Sequence, residues 1–87
     1  MKAMNFYAGA MKAAMSFVAK RSSDDHIHSV HWTEVSHMGI SGDYLDVEIE
    51  TTTKDGEAGH RWNVRVVKYD NEKSFSIQTE RTQATKL

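Results

Sequence analysis

The sequence predicts an α+β domain in which one N-terminal helix packs on a four-stranded antiparallel meander, in the order α-β-β-β-β. Three observations carry this reading. Polar positions over residues 3–21 recur with the 3.6-residue period of a helix, apolar positions after residue 25 recur with period 2, and short polar turns separate the period-2 runs. A chain of 87 residues supports one core, so residues 1–87 are read as one domain.

In the helix, AMNFYAGAMKAAMSFVAKR, the polar positions Lys2, Asn5, Gly9, Lys12, Ser16 and Lys20 fall within a sector of about 80° at roughly 100° per residue. The rest is apolar, over twice the stripe of about 100° that a helix resting on one sheet requires. One line, Met4, Ala8, Met11, Met15 and Val18, is expected to face the sheet. The other, Phe6, Ala10, Ala13, Ala14 and Phe17, is expected to form a homodimer interface, its alanines admitting a second helix closely. Lys20 and Arg21 favour the helix C-terminus, and Ser22 to Asp25 form a polar link.

The first strand, within residues 26–38, is irregular: Val30 and Trp32 share one parity while Ile27 and Val35 take the other, which predicts a bulge or burial of both faces. In the second, residues 43–53, Leu45, Val47 and Ile49 alternate with Tyr44, Asp46, Glu48 and Glu50. The Asp55-Gly56 pair marks a tight hairpin into the third strand, residues 58–69. There Trp62, Val64 and Val66 alternate with Arg61, Asn63, Arg65 and Val67, setting basic residues on the face of the acidic ladder. Asp70 to Lys73 turn the chain into a fourth strand, residues 73–81, with Phe75 and Ile77 inward, and residues 82–87 lack a pattern and are expected to fray. A helix followed by a meander resembles cystatin-like and hotdog-like architecture in arrangement alone. The strand preceding the helix in both is missing, and the cystatin Gln-Val-Val-Ala-Gly loop has no counterpart.

Composition narrows the function. Eleven Lys plus Arg against twelve Asp plus Glu give a charge of −1, so no global field favours nucleic acid. No apolar run approaches the roughly 20 residues that span a bilayer, no cleavable leader is evident, and the chain reads as cytoplasmic, without a membrane partner. Without cysteine there is no thiolate nucleophile, Cys-based zinc site or disulfide. No cofactor is expected. His26 and His28, on one side of an extended strand, are the candidate metal ligands, with a third from Asp24, Asp25 or another strand. His31, Trp32 and Trp62, with carboxylates such as Glu34, are the candidate lining of a pocket between helix and sheet. The outer charges Asp46, Glu48, Glu50, Arg61 and Arg65 read as cross-strand ion pairs, and no serine stands in a nucleophile elbow. These readings favour a noncatalytic binding or protein-interaction module acting as a homo-oligomer, and the alternative is a small dimeric enzyme or ligand-binding protein.

Overall fold

The computed structural model describes residues 2–37 and 41–87, with side chains from Phe6 onward, so the end of the predicted first strand and part of the link to the second lie outside the described residues. Helix α1 (Lys2–Arg21) is followed by strands β1 (His26–Trp32), β2 (Ser36–His37), β3 (Gly42–Thr52), β4 (Ala58–Tyr69) and β5 (Ser76–Ile77). A 3-10 turn (Thr79–Arg81) then leads to β6 (Gln83–Lys86). These strands form one antiparallel sheet, ordered β1-β3-β4-β5, with β2 also paired to β3 and β6 to β4. Since β4 occupies one flank of β3 along its length, β1 and β2 share the other, and β5 and β6 together cover the far flank of β4. The sheet thus has the four rows that the period-2 runs predict, with its first and last rows each broken in two.

The long central hairpin follows from its sequence. Alternation places Leu45 opposite Val66, Val47 opposite Val64 and Ile49 opposite Trp62, so one face carries the apolar set. The turn closes through hydrogen bonds from the Gly56 amide to the Thr53 carbonyl and from the Thr53 amide to the Glu57 carbonyl. Gly56 there has φ +82°, a conformation that glycine adopts without steric cost.

The irregular first strand is explained by a bulge at His28: Ile27 stands opposite Thr51 and Ser29 opposite Glu50. The extra residue brings Ile27 onto the same face as Val30 and Trp32 despite its opposite parity. A second residue is inserted further on, where four steps from Trp32 to Ser36 oppose three from Val47 to Tyr44. Val35 is thereby also turned onto the core.

The core unites Ala10, Ala14 and Val18 of α1 with Leu45, Val47, Ile49, Val64 and Val66, all fully buried, while Phe6, Ala13 and Phe17 pack around it. This corrects the expected division of the helix. The residues assigned to a dimer interface, Phe6, Ala10, Ala13, Ala14 and Phe17, face the sheet. Of the line assigned to the sheet, Val18 is fully buried, whereas Ala8 and Met15 are exposed. The physical reason is bulk at the margins and smallness at the centre. Ala10 and Ala14 bring the helix axis close to the sheet, while Phe6 packs edge-on to Phe75 with ring centroids 5.2 Å apart and Phe17 to Trp62 at 5.9 Å. Gly9 completes the fit, since a Cβ there would lie 2.3 Å from the Phe75 ring.

The frayed tail is a second correction. Gln83 to Lys86 pair with Asn63 to His60, and the Leu87 amide donates to the Gly59 carbonyl. The strand lacks alternation because all four of its side chains are exposed, so backbone bonding alone defines it. Thr82 fixes its approach by accepting from the Arg65 amide at 3.2 Å and donating to the Gln78 carbonyl at 2.9 Å.

Candidate functional site

The face of the sheet away from α1 carries the charges. Arg65 donates from Nε to Asp46 Oδ1 at 2.8 Å and from its second nitrogen to Oδ2 at 3.0 Å, and its guanidinium lies 4.3 Å from the Tyr44 ring centroid. Hydrogen bonding to Asp46 raises the Arg65 pKa above its ordinary value, with burial opposing, so Arg65 stays charged at any workable pH. The sign follows: stability from a raised basic pKa is present below the unfolded value and is lost only in strong alkali. Arg61 pairs likewise with Glu50 at 3.0 Å. These four charges satisfy one another, whereas Glu48, opposite Asn63, is exposed and makes no ion pair among the described residues. Asp46→Asn is therefore expected to cost about 0.5–1 kcal/mol by denaturant titration, with added salt narrowing the gap.

At the edge of this face a shallow depression of about 210 Å³ is lined by His31, Trp32, Thr33, Asp46, Glu48 and Asn63. His31 and Trp32 thus come together, but Trp62 does not join them. It lies on the helix side against Phe17, where its indole Nε1 is buried without a hydrogen-bond partner among the described residues. The expected helix-to-sheet pocket is corrected on this point: Phe6, Phe17, Trp62 and Phe75 occupy that space.

His26 stands opposite Thr52 and His28 occupies the bulge, both exposed. Among the described residues no three His, Asp or Glu side chains come together to hold a metal ion. No described helix is long and apolar enough to cross a membrane.

The feature with no internal partner is the flank where α1 meets β1. Ala8, Met11, Met15 and Ala19 of α1 and Ile27 of β1 line an open groove of about 500 Å³, bordered by Lys12 and Ser16. Met15 is 38% exposed. Trp32, 50% exposed, extends the same flank toward the start of α1, its ring centroid 6.4 Å from that of Tyr7. Met15 and Trp32 are the large apolar side chains that water reaches most freely among the described residues of α1 and β1. The flank is held in place by the Tyr7 hydroxyl, which accepts from the Val35 amide at 3.3 Å, and by Asp25, which accepts from the Thr51 hydroxyl at 2.9 Å.

Helical periodicity places the surplus apolar surface on α1 but on the wrong line. The contribution of Ile27 and Trp32 to the flank is hidden from it by the bulge. The chain matches no protein-family model, no curated protein and no solved structure.

Proposed function

We propose that the chain is a noncatalytic interaction module that works as a homo-oligomer, joined through the α1/β1 flank. The observation supporting this reading is the apolar groove lined by Ala8, Met11, Met15, Ala19 and Ile27, with Met15 and Trp32 the most exposed large apolar side chains of α1 and β1, while on the opposite face Arg61 and Arg65 are already paired with Glu50 and Asp46. A small domain gains stability by burying such a surface against a second subunit. The paired ladder supports the noncatalytic part, because a carboxylate already held by an arginine is a poor general base.

The reading is tested by light scattering at micromolar concentration. The native chain is expected at twice the monomer mass of 9.9 kDa, and Met15→Glu at the monomer mass itself. Far-ultraviolet circular dichroism should be unchanged, since Met15 is partly exposed and the new carboxylate can pair with Lys12 one turn earlier. A native chain that scatters as a monomer throughout would remove the homo-oligomer.

A further inference from the structure

We draw no further inference here: the strongest candidate, the open apolar groove between α1 and β1 lined by Ala8, Met11, Met15, Ala19 and Ile27, belongs to the surface already proposed for self-association, and nothing in the structure shows what covers it.

Discussion

Leu45→Ala is expected to lower the free energy of unfolding by about 2–5 kcal/mol, against a total of about 4–13 kcal/mol for a domain of this length. Leu45 is fully buried in the first half of β3, opposite Val66, among the side chains that α1 covers. Truncation removes apolar area from water and leaves a cavity. The surroundings cannot close it cheaply, because Val66 and its neighbours on β4 are fixed by the β3-β4 ladder and α1 is held apart by Phe6 and Phe17. Denaturant unfolding followed by tryptophan fluorescence measures the effect, with native and variant compared at one protein concentration. A change below about 1 kcal/mol would mean that the helix collapses onto the gap, and would revise the picture of a rigid core.

The contrast between Leu45 and Met15 marks what is legible in the sequence. The position of Leu45 follows from alternation, since a strand shows a period of two and its apolar parity names the buried face. Trp62, Val64 and Val66 are readable in the same way, as is the turn at Asp55-Gly56. Met15 is not. A helix that is apolar over more than half its circumference does not state which part meets the sheet. The choice is made by fit to the rows below, with Ala10 and Ala14 over the centre and Phe6 and Phe17 reaching down at the sides. The weight of the aromatic residues is the available signal, since Phe6 and Phe17 have more area to bury than Met11 or Met15.

Two other features lie beyond a periodic reading. The mixed parity of Ile27, Val30, Trp32 and Val35 announces an interruption, but only the pairing with β3 shows that inserted residues return all four to the face toward α1. β6 carries no pattern because pattern records burial, and its side chains are exposed. For the candidate site, a surplus of apolar helix surface and a set of histidines are all that periodicity and spacing reveal. The flank depends on Ile27 and Trp32 arriving beside α1, which is a tertiary event.

Thr51→Val is expected to cost about 1–3 kcal/mol although it preserves the shape and volume of the side chain. Thr51 is 2% exposed and sits where the α1-to-β1 link meets the central hairpin. Its hydroxyl accepts from the His60 amide at 3.0 Å and donates to Asp25 Oδ2 at 2.9 Å. Valine removes at once the acceptor of a part-buried amide and the hydroxyl donor of a part-buried carboxylate. The His60 ring nitrogen Nδ1, 3.6 Å from the same Asp25 oxygen, makes no hydrogen bond among the described residues and so does not compensate. Gly59 leaves room for this arrangement, because a Cβ there would lie 2.5 Å from the Thr51 hydroxyl and 2.9 Å from Asp25. Asp25→Ala removes the same link from the other end. The double variant Asp25→Ala with Thr51→Val should therefore lose less than the sum of the two single losses, by about 0.5 kcal/mol or more. Single losses within about 0.5 kcal/mol of zero, measured by denaturant midpoint, would show that the link is not fastened here. Asp25 also anchors the chain two residues before Ile27, so loosening it frees one wall of the α1/β1 groove, and under the proposed self-association a variant that still folds should associate less tightly than the native chain.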